Sequence, residues 1–342
     1  MKITYDEFLK IARDPNVPEE QLLKYCDVVE HSGAFDIQFK IKPDMVQMTE
    51  ADQEFENALQ IGNWASRIRR YWRFKDALRD HPERPMLISE GDSWFQFPIL
   101  IDDVIDHLSA HFNIYSLDAA GDTAQNMVYG ANRARRREYL SALLEYKDQV
   151  SGFLFSAAGN DVIGEDPDTG VAVLFDVLRD FNGDITDVEG HIDRVVFDEK
   201  LAFLKGAYER VISDIRGVAK LQEMPVFVHG YDYVFPFRWE GDTRDPLHAA
   251  QDEWLGEPLS DRNIPSVLGR KVISAMLDEL YAMLDGLAAS DANVIVVDCR
   301  GAMPNLTDWV DEIHGTSDGF AKVASRFKAA IDQALVAQGA MT

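Results

Sequence analysis

The chain has 342 residues, with 59 acidic residues against 34 basic ones and a formal net charge of -25 at pH 7. Such a surface repels phosphate backbones and anionic lipid head groups, which excludes nucleic acid and a negatively charged membrane as main partners. Hydrophobic residues make up 46% of the sequence, so a sizeable folded core is expected rather than disorder.

The sequence carries none of the usual marks of membrane insertion or secretion. No apolar run approaches the roughly 18 residues that a transmembrane helix requires. The stretch Met1–Glu7 lacks the basic start and apolar core of a signal peptide. Cys26 and Cys299 lie outside any CxxC or Cys/His cluster, which predicts two free, buried thiols. We therefore expect a cytoplasmic protein.

Residues 1–83 are predicted to form a helical N-terminal extension. Thr4 and Glu7 fit a capping box at the start of a first helix. A longer helix is expected from about Glu50 to Asp80, ending before a linker that contains two prolines. Its apolar stripe comprises Ile61, Trp64, Ile68 and Trp72. The extension is a candidate surface for a protein partner.

Two basic runs interrupt the acidic sequence. They are Arg67–Arg70 with Arg73, and Arg133–Arg137. Each is interpreted as a solvated helix face paired with nearby acids. The alternative is a docking patch for an acidic partner or an anionic substrate group.

From residue 86 onward, apolar runs alternate with helical patterns. The runs are rich in Ile, Val, Leu or Phe, as is typical of strands buried on both faces: 86–90, 112–118, 150–158, 224–230 and 293–299. The helical patterns between and after them are 99–110, 131–146, 200–221, 264–287 and 317–336. This alternation predicts an α/β fold with a three-layer, doubly wound parallel sheet of about five strands. The predicted domains are therefore the extension at 1–83 and an α/β domain at 84–342.

A Gly-Asp-Ser sequence follows the first predicted strand. Gly91 permits a tight turn at the strand end, and Ser93 comes directly before a helical pattern. In open α/β sheets, ligands bind at the carboxyl ends of the strands. A serine there can act as a nucleophile if a base reaches it. Because Gly, Asp and Ser are also common turn residues, an ordinary turn is the alternative.

Three later stretches favour a catalytic interpretation. Gly121 and Asn160 each follow a predicted strand, and Asp311 lies three residues before His314. Together with Ser93, and in this order, they resemble the four blocks of the SGNH (GDSL-type) hydrolase family. The resemblance implies a flavodoxin-like fold after the helical extension, and an esterase or lipase activity on carboxylic esters.

The resemblance also implies a role for each of these residues. Ser93 would be the nucleophile, His314 the base, and Asp311 the carboxylate that orients the imidazole, in one helical turn with it. The oxyanion hole would be formed by the backbone N–H groups of Ser93 and Gly121 and by the side-chain amide of Asn160. No metal or organic cofactor is expected, since the triad and the oxyanion hole are sufficient for ester hydrolysis.

The sequence departs from the family pattern at two positions. The resemblance covers about residues 86–326, and within it Ala158 occupies a position that is usually glycine. Gly315 follows the histidine where the family often has proline. We expect both changes to loosen the placement of their neighbours without abolishing activity.

Two long segments, 161–199 and 231–263, follow predicted strands and are expected on the active face as lids or specificity elements. Candidate substrate contacts lie beside the blocks and in these segments: Asp92, Trp94, Phe95, Asp161, His229 and Tyr231. His229 is equally compatible with a buried structural role. The aromatic residues favour an apolar acyl group, although aromatic residues also stack on sugars.

The substrate class stays open at this point. A carboxylic ester, a thioester, a lysophospholipid or an acetylated sugar would each suit the proposed residues. A different class of function is a catalytically weak or inactive module that binds an acylated ligand and is recruited through the helical extension. A nucleotide-binding function is disfavoured, because no GxGxxG or GxxxxGK[ST] motif follows a predicted strand.

Overall fold

The computed structural model describes residues 2–30, 37–47, 61–97, 101–130, 137–164, 171–244 and 254–339. Its strands are β1 (Ile3–Thr4), β2 (Cys26–Glu30), β3 (Ile37–Ile41), β4 (Val46–Gln47), β5 (Met86–Gly91), β6 (Asn113–Ser116), β7 (Val150–Ser156), β8 (Val226–Val228) and β9 (Val294–Val296). Its α-helices are α1 (Tyr5–Arg13), α2 (Glu19–Leu22), α3 (Ile61–Asp80), α4 (Val104–Ser109), α5 (Glu138–Tyr146), α6 (Gly159–Ile163), α7 (Leu174–Val177), α8 (Arg194–Arg216), α9 (Gly256–Asp261), α10 (Ser266–Ser290) and α11 (Ser317–Ala337). A π-helix spans Gln125–Tyr129, and 3₁₀ turns span Glu189–His191 and Leu306–Asp308.

The central sheet contains β5 to β9, all parallel, in the order β6-β5-β7-β8-β9. Counted along the chain this is the order 2-1-3-4-5 of flavodoxin-like folds. Helices connect the strands and flank the sheet, because parallel neighbours require long crossover connections. The predicted three-layer α/β fold is confirmed, and each of the five predicted runs coincides with one strand.

The sheet forms the centre of the main hydrophobic core. Every residue of β5 is buried, and residues 153–155 and 226–228 have no exposed surface. Their nearly continuous apolar sequence follows from burial on both faces. The polar side chains of the candidate site therefore come mainly from the turns and loops that follow the strands.

The N-terminal segment is not all-helical. It contains α1, with the predicted capping box at Thr4 and Glu7, but β1 also pairs with β4, and β2 with β3 as an antiparallel hairpin. The sequence of β3 alternates apolar and polar residues, a strand signal that the neighbouring Gly33 and Pro43 obscured. A small separate core lies here, with Tyr5, Phe8, Ala12, Leu22, Cys26, Ile41 and Val46.

Helix α3 buries a different face from the one predicted. Residues 50–60 and the side chains of Ile61 and Trp64 lie outside the described part, and Trp72 is 51% exposed. Arg69, Arg70 and Phe74 are buried instead, and α3 packs against β6.

The first basic run is therefore not the solvated face that was expected, although it does pair with acids. The second run lies outside the described residues except for Arg137, which pairs with Asp214 at 2.6 Å. The division of the chain near residue 83 stays a prediction, and α3 contributes Phe74 to the main core.

Two expectations about the whole chain can be compared with the structure. Cys26 and Cys299 are free and buried, as predicted. Within the described ranges, no helix is both long and apolar enough to cross a membrane.

Candidate active site

Ser93 lies in a tight turn directly after β5. The N–H groups of Phe95 and Gln96 both donate to the carbonyl oxygen of Asp92, at 3.0 and 2.9 Å, which closes the turn. β5 and β7 flank the point where the strand order reverses, and the crevice at that point is the usual ligand site of doubly wound sheets. The serine therefore occupies the position in the fold where a ligand is expected.

Ser93, His314 and Asp311 are joined by hydrogen bonds. The Oγ atom of Ser93 lies 2.8 Å from Nε2 of His314. The Nδ1 atom of the same ring lies 2.6 Å from Oδ2 of Asp311. All three side chains are buried. This is the arrangement of a nucleophile, a base and an orienting carboxylate.

Asp311 and His314 lie in a tight loop rather than in the helical turn that was expected. The Oδ1 atom of Asp311 accepts the N–H groups of Ile313 and His314, at 2.8 and 2.6 Å. Trp309 and Gly315 close the loop as an antiparallel bridge. One carboxylate oxygen therefore holds the backbone while the other holds the imidazole, so both orientation and tautomer are fixed locally.

Gly315 lies in a closely packed part of the loop. A Cβ atom there would lie 2.8 Å from Sδ of Met303 and 3.2 Å from the backbone nitrogen of Phe320. A side chain at this position would therefore require its neighbours to shift. Whether glycine in place of proline loosens the turn stays a prediction.

Aromatic rings surround the base. The imidazole of His314 makes edge contacts with Phe97 and Trp254, at centroid distances of 4.7 and 5.7 Å. The indole N–H of Trp94 donates to the carbonyl oxygen of Ile313 at 2.9 Å. This bond links the nucleophile turn directly to the loop that carries the base.

Sequence reasoning missed two charged residues that hold the base loop. Glu312 has no exposed surface, and its carboxylate accepts the N–H groups of Phe237 and Leu255. Arg244, 7% exposed, donates to the carbonyl oxygens of Asp311 and Phe235, each at 2.8 Å. The one signal in the sequence for this role was the charged residue Glu312 between Asp311 and His314. The segment after β8 is therefore bound to the loop that carries Asp311 and His314.

The proposed oxyanion-hole residues lie in turns on either side of Ser93. Asn160 lies in the first turn of α6. One N–H of its side-chain amide donates to the carbonyl oxygen of Asp122 at 2.6 Å, and the amide carries a second N–H. Gly121 has a φ of 78°, which glycine adopts without strain. Among the described residues, no acceptor binds the backbone N–H of Ser93 or of Gly121.

Ala158 has the backbone conformation of a glycine. Its φ is 115°, a region that residues with a Cβ rarely adopt. Glycine adopts such a φ without strain, so Ala158 holds a conformation that would suit glycine better.

A buried hydrogen-bond network supports the nucleophile turn. The Tyr231 hydroxyl and Ser156 Oγ both donate to the carboxylate of Asp92. Tyr231 N–H donates to Nδ1 of His229, so Nε2 carries the proton and donates to Ser156 Oγ at 2.8 Å. Burial lowers the pKa of His229 to about 3, so its ring is neutral. Burial also raises the pKa of Asp92 to about 6, opposed by these hydrogen bonds.

An apolar pocket opens beside Ser93. It lies between α6, α8 and α10 and includes residues from the loops after β5 and β8. Three of the expected substrate contacts, Asp92, Trp94 and Tyr231, line it together with Ser93 and Asn160.

Three other expected contacts lie elsewhere. Phe95 and His229 have no exposed surface and stack on each other at 5.5 Å within the core. Asp161 accepts the N–H groups of Ala124 and Gln125 at the start of the π-helix. A substrate-binding role for these three is therefore not supported. Each is instead used to hold the surrounding turns.

No protein-family model matches the sequence, and a comparison with curated proteins finds no relative. Among solved structures, a carbohydrate acetylesterase from Sinorhizobium meliloti has a TM-score of 0.42 and 14% identity, over 74% of this chain and 99% of its own. The aryl esterase of M. smegmatis has a TM-score of 0.41 and 12% identity, over 72% and 99%. A catalytic mutant of an acetylxylan esterase from Geobacillus stearothermophilus has a TM-score of 0.36 and 13% identity, over 72% and 94%. The function of this chain is therefore inferred from the geometry of its own site.

Proposed function

We propose that the chain is a serine hydrolase of the SGNH type that cleaves carboxylic esters through an acyl-enzyme. The observation that carries the proposal is the unbroken sequence of hydrogen bonds from Ser93 Oγ through His314 to Asp311. The three groups lie at the switch point of the sheet and beside an apolar pocket, where a reacting ester could lie.

In the acylation step, His314 Nε2 takes the proton of Ser93 as Oγ bonds to the carbonyl carbon. The resulting oxyanion accepts the backbone N–H groups of Ser93 and Gly121 and the second amide N–H of Asn160. The ester C–O bond then breaks, and the imidazolium returns its proton to the departing alcohol oxygen. Asp311 stays ionised and stabilises the imidazolium while it exists.

In the deacylation step, a water molecule takes the place of the alcohol. His314 removes one proton from the water as its oxygen bonds to the acyl carbon, and the same oxyanion donors stabilise the second intermediate. Collapse of this intermediate breaks the bond to Ser93 Oγ, which receives the proton back. The products are an alcohol and a carboxylic acid, and the enzyme is regenerated.

Labelling by a fluorophosphonate probe and hydrolysis of p-nitrophenyl acetate test the proposal together. Ser93→Ala should abolish both, and Asp311→Asn should lower kcat by about 10⁴ because the imidazole loses its tautomer control. Ser325→Ala, an exposed serine on α11, is the control and should match the wild type in both assays. A folded wild-type protein that is neither labelled nor active on esters would overturn the proposal in favour of a ligand-binding module.

A further inference from the structure

The apolar pocket has one polar end and a long apolar body. Its polar lining residues, Asp92, Ser93, Asn160 and Tyr231, all come from turns at the carboxyl ends of β5, β7 and β8. The rest of the lining is apolar and comes largely from α8 and α10. Within the described part of the chain, no Lys or Arg lines this pocket. A ligand that fits must therefore be uncharged along its length and reactive at one end.

Helices α8 and α10 extend beyond the end of the sheet and form the body of the pocket. The Tyr208 hydroxyl donates to the carbonyl oxygen of Ala157, directly after β7, and the Tyr281 hydroxyl donates to that of Tyr231, after β8. These bonds place the middle of each helix at the level of the strand ends. The preceding turns of each helix therefore line the pocket outward from Ser93.

The length of the pocket follows from helix geometry. The lining residues on the two helices lie on one face of each: Phe197, Leu201 and Leu204 on α8, and Ile273, Met276, Leu277 and Leu280 on α10. Each set spans two turns, which is about 10 Å at a rise of roughly 1.5 Å per residue. An extended hydrocarbon chain advances by roughly 1.3 Å per carbon, given bonds of about 1.5 Å, so about eight carbons cover this distance.

We propose that this pocket binds the acyl chain of the substrate and selects esters of medium-chain fatty acids, with about eight carbons. The inference rests on the proposed hydrolase function and goes further by naming the substrate class. Of the lining residues on α8 and α10, Phe197 and Ile273 precede Tyr208 and Tyr281 by the most turns. They therefore lie farthest from the strand ends and set the longest chain that fits.

The position of the base decides that the pocket takes the acyl group and not the alcohol. Asn160, an oxyanion donor, lines the pocket, whereas His314 does not. The departing alcohol oxygen must lie at Nε2 of His314 to receive its proton. The alcohol therefore leaves on the side of Phe97 and Trp254, whose rings contact His314, and the acyl chain extends the other way.

A series of p-nitrophenyl esters, from acetate through butyrate, hexanoate, octanoate and decanoate to laurate, tests the proposal. The ratio kcat/KM should rise about fourfold per added methylene, corresponding to ~0.8 kcal/mol of transfer free energy, and level off or fall after octanoate. A parallel series of alkyl acetates from ethyl to octyl should show little dependence on the length of the alcohol. Concentrations below micelle formation keep the comparison between monomeric substrates.

Two variants at the far end should move the preference in opposite directions. Ile273→Phe should lower the octanoate-to-acetate ratio of kcat/KM about tenfold or more, and Phe197→Ala should move the optimum to decanoate or laurate. Both readouts compare kcat/KM values of the same variant. A lower fraction of folded protein changes all of these values by the same factor and therefore leaves the comparison unchanged. The controls are Val267→Phe and Val195→Ala, exposed positions on the same two helices, which should keep the wild-type profile.

The outcomes separate the two proposals. Hydrolysis that is fastest with acetate and falls with acyl length, or that depends on alcohol length instead, would overturn the acyl-pocket inference while the hydrolase function stands. Absence of hydrolysis of every ester, together with no fluorophosphonate labelling, would overturn the proposed function itself.

Discussion

Arg70 connects the N-terminal helix α3 to the nucleophile turn, and its removal should weaken both stability and catalysis. The guanidinium is 9% exposed. One nitrogen donates to the carbonyl oxygen of Phe95, two residues after Ser93, and the other donates to Asp103 and Asp106. Asp103 has no exposed surface and also accepts the N–H of Phe97 at 2.8 Å.

The magnitude follows from the buried ion pair. Arg70→Met leaves the Asp103 carboxylate buried without its cation, and breaking such a pair typically costs about 3–5 kcal/mol. With an unfolding entropy of about 2.1 cal/mol/K per residue, a chain of this size should lose about 4–7 °C in Tm. The freed Phe95 carbonyl should also loosen the turn that holds Ser93. Because small misplacements of a nucleophile are costly, we expect a drop in kcat of about tenfold or more.

Thermal unfolding and ester hydrolysis should be measured on the same preparations. The control is Arg79→Met on the same helix, whose exposed ion pairs should contribute little. Asp103 also caps α4, since its Oδ1 atom accepts the N–H groups of Ile105 and Asp106. Combining Arg70→Met with Asp103→Asn removes the buried charge but keeps a capping oxygen, so it should recover part of the stability. It should not recover kcat, since the Phe95 carbonyl still lacks its donor. An Arg70→Met protein with wild-type Tm and wild-type kcat would refute the role of α3 in holding the nucleophile turn.

Two further predictions concern the network and the oxyanion hole. The pKa of buried His229 is lowered to about 3, so the unfolded chain binds a proton that the folded chain does not, and stability is lost as pH falls below about 6.5. Between about pH 7 and pH 5, this group should lower the free energy of unfolding of the wild type by about 2 kcal/mol, as measured by urea titration. The decrease for His229→Gln should be smaller by that amount. Equal decreases in the two proteins would contradict a neutral, buried His229. Asn160→Ala should lower kcat about 10²–10³-fold with KM little changed, and a kcat within threefold of wild type would remove its amide from the oxyanion hole.

The strands of the sheet could be predicted because their signal is local. Each is a short apolar run, and burial on both faces makes such runs nearly continuous in sequence. The residues of the candidate triad could be named because they lie in short blocks with fixed spacing. Their hydrogen bonds agree with the roles that the resemblance implied, although the turn around Asp311 and His314 is not helical.

The remaining features depend on contacts between distant parts of the chain. Arg70 is buried by acids that lie 33 and 36 positions away, and nothing in its own helix distinguishes it from a solvated arginine. The apolar periodicity of α8 and α10 predicts only that one face of each helix is buried. It does not show whether that face packs in the core or lines a pocket. Phe95 was a candidate contact because it is aromatic and close to Ser93, and His229 because it ends a strand, with a buried structural role as the alternative. Both side chains point into the core, which their positions in the sequence could not show.

The spacing between nucleophile and base is therefore set by bonds between loops as much as by the sheet. Ser93 and His314 follow different strands, and the Trp94 indole joins their two loops at the Ile313 carbonyl. Arg244, in the segment after β8, donates to the Asp311 carbonyl oxygen, and Glu312, in the base loop, accepts the N–H of Leu255 from that segment. Each of these bonds satisfies a buried polar group, and leaving one such group without a partner costs about 1–3 kcal/mol. Together these bonds hold the two loops at the 2.8 Å contact between Ser93 and His314.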